Sequence, residues 1–229
     1  MKKDLEKVKK TKRLKYIWPV ILIVLIVFMS ALVLIGRRPR YYAPLRLNDK
    51  NLISPYLTGQ ILPTVYNNSQ LGKPFELVIT QDGLNDIVAR LPQPISLHNL
   101  NLTDPQVVLS PMQITLMATV KIKPLNPILT IELNPYINQH GLLNLCVNRV
   151  MLGSADITTI AISIGNKAYS NWLYSTGTDP NNIAAQICRS LLNYEPFEPT
   201  FEVGDTTLRI TKFDTVAKKI TVLLTPVPD

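Results

Sequence analysis

Few side chains in this 229-residue chain are spaced for chemistry. Asp82 and Asp86 stand four apart and would share one side of a helix. Such a pair of carboxylates can do acid–base work or hold a hard cation. Near a helix N-terminus the same pair is also a solvated acidic face, favoured by the helix dipole. His98 is followed by Asp104 and Ser110, but that order matches no nucleophile–base arrangement. His140 sits beside Gly141 in a turn-like Asn138–Gly141 stretch, and both histidines read as surface residues. No Gly-rich phosphate loop and no G-x-S-x-G occurs. Two cysteines, Cys146 and Cys188, lie far apart from each other and from the histidines, without metal-ligand spacing. They could form a disulfide or stand as two buried thiols. The expectation is a protein without catalytic residues, metal or cofactor, and hence not an enzyme.

The elements that would carry these residues can be read from capping and periodicity. Ser54-Pro55 and Asp179-Pro180 each place a capping oxygen before a proline suited to the first helical position. The first predicts a helix to about Val65, its end disturbed by Pro63, and the second a helix to about Asn193. A third helix is predicted from Thr80 to Leu91, with Leu84, Ile87, Val88 and Leu91 on one face and Gly83 as a weak point. Ile157 to Leu173 has helical apolar spacing but strand-like β-branched content, and helix is the reading taken. The middle of the chain alternates with a period of two. Met112, Ile114, Leu116, Ala118, Val120 and Ile122 point one way; Gln113, Thr115, Thr119, Lys121 and Lys123 point the other, with Met117 the exception. Further strands are predicted at Phe75–Ile79, Val107–Leu109, Ile128–Leu133 and Leu142–Met151, with a hairpin of Thr207–Phe213 and Ile220–Thr225. The fold class is α+β: one twisted antiparallel sheet, apolar on one face, packed against two or three helices.

The strongest single feature lies upstream. Ile17 to Gly36 is uncharged, and 14 of its 20 residues are Ile, Leu, Val or Phe. As a helix it would span about 30 Å, the thickness of a bilayer core. It exceeds a signal-peptide core and lacks an A-x-A site, so it reads as an uncleaved anchor. Residues 1–40 hold 11 Lys or Arg and 2 acids, whereas residues 41–229 hold 13 basic and 14 acidic residues. The whole positive balance therefore borders the apolar run, which argues against a nucleic-acid partner. Eight of those cations precede the run and three, Arg37, Arg38 and Arg40, follow it. The positive-inside rule then puts residues 1–16 in the cytoplasm as a basic tail and the C-terminal part outside. The division expected is 17–36 as a transmembrane helix of the cytoplasmic membrane, 37–48 as a tether and 49–229 as one extracytoplasmic domain.

A family resemblance accompanies these readings. Phe75-Glu-Leu-Val-Ile-Thr80, followed by Leu84-Asn85, has the strand and T-x-x-x-L-N helix start of bacterial YpmS-like proteins. Asp104-Pro105 to Leu109, the strand from Met112, Gly141 to Leu145 and Leu152-Gly153 follow in the same order. The resemblance covers about residues 70–155 and implies an N-terminal anchor with an extracytoplasmic β-rich domain. It also implies a likeness to tubular lipid-binding domains, in which a curved sheet encloses an acyl-chain groove. From the apolar strand face, the groove residues expected are Leu116, Val120, Leu129, Ile131, Leu145 and Val147, opposed by Ile87 and Ile187. The function expected is binding of lipid or another apolar ligand at the membrane. The alternative is a scaffold subunit that engages envelope proteins through its surface or a sheet edge.

Overall fold

The computed structural model describes residues 22–47, 53–97 and 100–227. The basic tail, Ile17–Ile21 of the expected anchor, and His98 lie outside the described residues. Residues 22–36 form α1, almost entirely apolar; Leu22 to Ser30 are exposed, while Ala31, Leu32 and Ile35 near its end are half-buried. Among the described residues no helix is long and apolar enough to cross a membrane.

The α+β expectation holds, with antiparallel strands throughout, but the single sheet becomes two. Strands β1 (Phe75–Thr80), β8 (Thr200–Val203), β9 (Thr206–Val216) and β10 (Lys219–Pro226) form a four-stranded sheet in the order β1-β10-β9-β8. Strands β2 (Ile95–Leu97), β3 (Leu100–Ser110), β4 (Gln113–Val120), β5 (Ile128–Ile137), β6 (Leu143–Leu152) and β7 (Ala155–Asp156) form a six-stranded meander in chain order. The predicted hairpin at the C-terminus is present as β9–β10. Its partner is β1, more than 100 residues upstream, with Leu77 opposite Val222. No local pattern in a sequence announces a pairing of that separation, and it is what splits the strands into two sheets.

The helices start largely where their caps indicate. Ser54 Oγ accepts from Leu57 N–H at 3.2 Å and opens the first helix after the tether. That helix runs past Val65 to Ser69: a π turn at Leu57–Ile61 leads into α2 (Leu62–Ser69). The wide turn lies just ahead of Pro63, whose ring and missing N–H do not fit a regular α ladder. Thr80 caps α3 (Gln81–Ala89) by accepting from Gly83 N–H at 3.1 Å. Gly83 has a packing reason: a Cβ there would lie 2.2 Å from the Tyr56 ring. The ambiguous stretch is helical, as α4 (Thr158–Thr176). The last helix, α5 (Ile183–Asn193), begins later than Asp179-Pro180 suggests. Asp179 instead accepts from Asn181 N–H in a turn, and Asn182 is the cap, accepting from Ala184 N–H at 2.8 Å.

Two apolar cores lie on one face of the six-stranded sheet. In the first, Val107 and Leu109 of β3 pack with Leu208, Ile220, Val222 and Leu224 of the smaller sheet, joined by Leu84 and Val88 of α3. In the second, Leu133, Val147 and Val150 meet Ile157, Ala161 of α4 and Leu191 of α5. Side chains from helices bond β3 and β6 where the short outer strands β2 and β7 do not reach. Asn85 and Gln81 of α3 bond the backbone of Val107 and Leu109, and Ser190 of α5 accepts from Leu145 N–H at 2.8 Å. Part of each otherwise unpaired strand segment is thereby given a partner.

Candidate functional site

Leu116, the centre of the expected groove, lies between the two cores. Its strand neighbours are Val107 of the first core and Ile131, which packs on the second. Yet Leu116 is 37% exposed, whereas Ile114, two residues back on the same strand face, packs against both cores. Leu129 and Ile131 beside it are half-buried against the second core, and Val147 is buried within that core. Leu145 is half-buried on the strand that Ser190 of α5 bonds. Ile87 on α3 and Ile187 on α5 are both half-buried. Val120 is buried at the end of β4. Of the eight, Val147 and Val120 are buried, and Leu116, Leu129 and Ile131 form a partly open centre, whereas Leu145, Ile87 and Ile187 are half-buried and stand in neither core. Helix α4 adds to the open apolar surface: none of its residues is buried, and Ile160 and Ile164 are exposed one turn apart. It touches the body along Ala161 and Gly165, where a Cβ would lie 2.5 Å from Leu192.

The opposite face of the same sheet differs from its sequence reading. Thr115, Met117 and Thr119 of β4, Thr130 of β5 and Gln106 of β3 are all buried. Part of their cover comes from residues 41–43, within the stretch expected as a tether. Tyr42 donates to the Asp104 carbonyl at 2.7 Å, with the Thr119 hydroxyl 2.9 Å from its oxygen. Ala43 N–H donates to Gln106 Oε1 at 2.7 Å, and Gln106 Nε2 donates back to Tyr41 O at 3.2 Å. Burial pushes the Tyr42 phenol above its ordinary range, with the Thr119 hydrogen bond pulling the other way. Residues 41–43 are therefore a strap bonded across the polar face.

The candidates for chemistry take structural roles. Asp86 accepts from Ser54 Oγ and from Arg90 Nε at 3.0 Å. These bonds, the Ser54 one foremost, hold its carboxyl below the ordinary range. Asp86 joins two helices, while Asp82 is exposed in the first turn of α3. No group of acidic, His or Cys residues that could hold a metal occurs among the described residues. Cys146 and Cys188 are both free thiols, half-buried, and burial raises the Cys188 thiol. His140 lies in the turn before β6, its N–H bonded to the Asn138 side chain at 2.9 Å.

A second site escapes the sequence reading. A cleft of about 640 Å³ lies between Asn134–Asn138 on one side and Thr211–Thr215 on the other, with Met112 at its end. The pairing of β4 with β5 ends at Leu133, and that of β8 with β9 ends at Arg209. Each wall is therefore a strand segment without a neighbour on the cleft side. Met112 N–H donates to Thr215 O at 2.9 Å, at a positive φ of 59°, and joins the sheets there. Asn134 Oδ1 and Thr215 Oγ1 are buried without hydrogen-bond partners. Pro135, in the middle of one wall, is the sequence signal that this segment is an edge, since a central strand would lose a ladder bond there.

No protein-family model, curated protein or solved structure matches this chain.

Proposed function

We propose that this protein is a single-pass, membrane-anchored module of the cell envelope that binds lipid or another apolar ligand on its extracytoplasmic domain, without catalysing a reaction. The observation that carries the reading is the uncovered centre of the apolar sheet face at Leu116, flanked by half-buried Leu129 and Ile131. An acyl chain in this gap would complete the burial that the two cores leave unfinished. The anchor reading draws on α1, whose apolar residues from Leu22 to Met29 are all exposed, as a bilayer requires and water does not favour. It draws also on the charge asymmetry around Ile17–Gly36. The likeness of residues 70–155 to YpmS-like proteins points the same way. Two measurements test the proposal. A phosphatase fused after Asp229 should be active and a cytoplasm-dependent fluorescent reporter there dark. Lipid should co-purify with the domain in native mass spectrometry. The reverse reporter pattern would overturn the topology, and a ligand-free domain would overturn lipid binding.

The cleft favours the scaffold reading in its own right. Two strand edges facing one another across a gap, one from each sheet, suit an extended polypeptide that adds as a strand. Crosslinking from a photoreactive group at Tyr136 would capture envelope proteins under this reading and only solvent adducts otherwise.

A further inference from the structure

We propose that the end of the six-stranded sheet nearest α1 is a docking surface for the anionic phospholipid headgroups of the bilayer that holds the anchor. The proposal rests on the reading that Ile17–Gly36 spans the membrane. Two turns at this end touch the last turn of α1. Ser154 N–H donates to Leu34 O at 2.8 Å. A Cβ on Gly153 would lie 2.2 Å from the Ile35 carbonyl oxygen, so backbone packs directly on backbone there. In the β4–β5 turn, Leu125 lies 3.9 Å from where a Cβ on Gly36 would sit. The apolar run ends at Gly36, so turns that touch residues 34–36 sit at the membrane boundary.

What that end exposes matches a headgroup layer. Ile122 is 47% exposed and Leu125 41%, at the tip of a turn braced by Asn126 N–H donating to Ile122 O at 2.9 Å. Lys121 and Lys123 are exposed on either side of Ile122, and Arg37, Arg38 and Arg40 are exposed where the chain leaves α1. Five exposed cations thus stand on the two touching segments that carry the apolar tips and the end of α1. The acidic group beside the Ser154 turn, Asp156, is engaged by Arg149 at 3.2 Å and by the Thr158 hydroxyl. Apolar tips that enter the interface and basic side chains that meet anionic headgroups are the two components of peripheral membrane binding. This also gives the three arginines that trail the anchor a role, although they weaken the positive-inside asymmetry. Docking at this end would hold the sheet upright on the bilayer, with the Asn138–Gly141 turn at the distal end.

The test uses the full chain, with Cys146 and Cys188 replaced by Ser, in vesicles of phosphatidylcholine alone or of equal parts phosphatidylcholine and phosphatidylglycerol. A fluorophore is placed at Ile122→Cys or at His140→Cys, and quenching by a headgroup nitroxide lipid is read. Docking predicts several-fold stronger quenching at 122 than at 140 in the phosphatidylglycerol vesicles. The excess should shrink in pure phosphatidylcholine, at high salt, and in a Lys121→Glu, Lys123→Glu variant of unchanged melting temperature. Equal quenching at the two sites in a chain that resists alkaline extraction would overturn docking and leave the anchor. An excess at 122 indifferent to lipid charge and salt would overturn anionic headgroups as the ligand. Release of the chain by alkaline extraction would overturn the anchor, and the docking surface with it.

Discussion

At the centre of the six-stranded sheet burial does not follow polarity, although both apolar cores lie on its apolar face. The face carrying Thr115, Thr119, Thr130 and Gln106 is sealed, while the face carrying Leu116, Leu129 and Ile131 is covered at both ends and open at its centre. The difference lies in what each face meets. The polar face is strapped by a nearby chain segment whose backbone and phenol supply hydrogen bonds for Gln106, Thr119 and Asp104. Threonine suits such a face, since its branched side chain packs like valine; the Thr119 hydroxyl has a partner in Tyr42, while that of Thr130 is buried without one. The apolar face depends on helices and the second sheet; the two cores share Ile114, and Leu116 beside it stays partly exposed. Alternation in a strand identifies two faces; it does not say which one the rest of the chain will cover.

The largest effect expected is on the sealed face. Met117 is 2% exposed, so Met117→Ala should cost about 2 to 5 kcal/mol through lost contacts and a cavity. A denaturant midpoint close to wild type would show that this face is not packed and would dissolve the contrast. Tyr42→Phe comes next, with about 1 to 2 kcal/mol for the lost hydrogen bonds. Its pH dependence has a definite sign. Burial raises the folded-state pKa of Tyr42, so the neutral phenol is the form that folding favours. Its contribution is complete below the ordinary tyrosine range, near about 10, and fades as pH rises through the raised value. The gap in melting temperature between wild type and Tyr42→Phe should therefore narrow on the alkaline side. A gap that widens there would contradict a buried strap phenol.

The smallest stability effect is expected at the open centre. Leu116→Ala should cost only about 1 kcal/mol, well below Met117→Ala, because much of the side chain is already in water. Equal losses for these two neighbours would mean that Leu116 is closed over in solution and that the gap is ordinary core.

Much of the architecture was legible because its signals are local. Ser54 and Thr80 begin helices as their types and positions indicate, and the period of two located β4, β5 and β6. What escaped depends on distant partners. The strap joins Ala43 to Gln106 across 63 residues, and β1 joins β10 across most of the domain. Met117 stood out as an apolar residue on a polar face, and that irregularity was the one local hint that the face is buried. Of the eight expected groove residues, the strand alternation put Leu116, Leu129, Ile131 and Val147 on a common face, as the register has them. It did not separate the half-covered ones from Val147 and Val120, whose burial depends on neighbours far along the chain. The cleft between β5 and β9 was not legible, because each wall lacks a neighbour only through how the two sheets come together.

The central claim is that the opening over Leu116 is a ligand site rather than a defect of packing. It is tested most directly by lipid bound per protein in a domain beginning at Arg37, which retains the strap, compared between wild type and Leu116→Trp at matched denaturant midpoints. An open site accommodates the indole with little loss of stability and fills with it. Bound lipid is expected on the wild type and little or none on the variant. A wild type without lipid, with a Trp variant destabilised by the roughly 1 to 3 kcal/mol of an overpacked core, would contradict it.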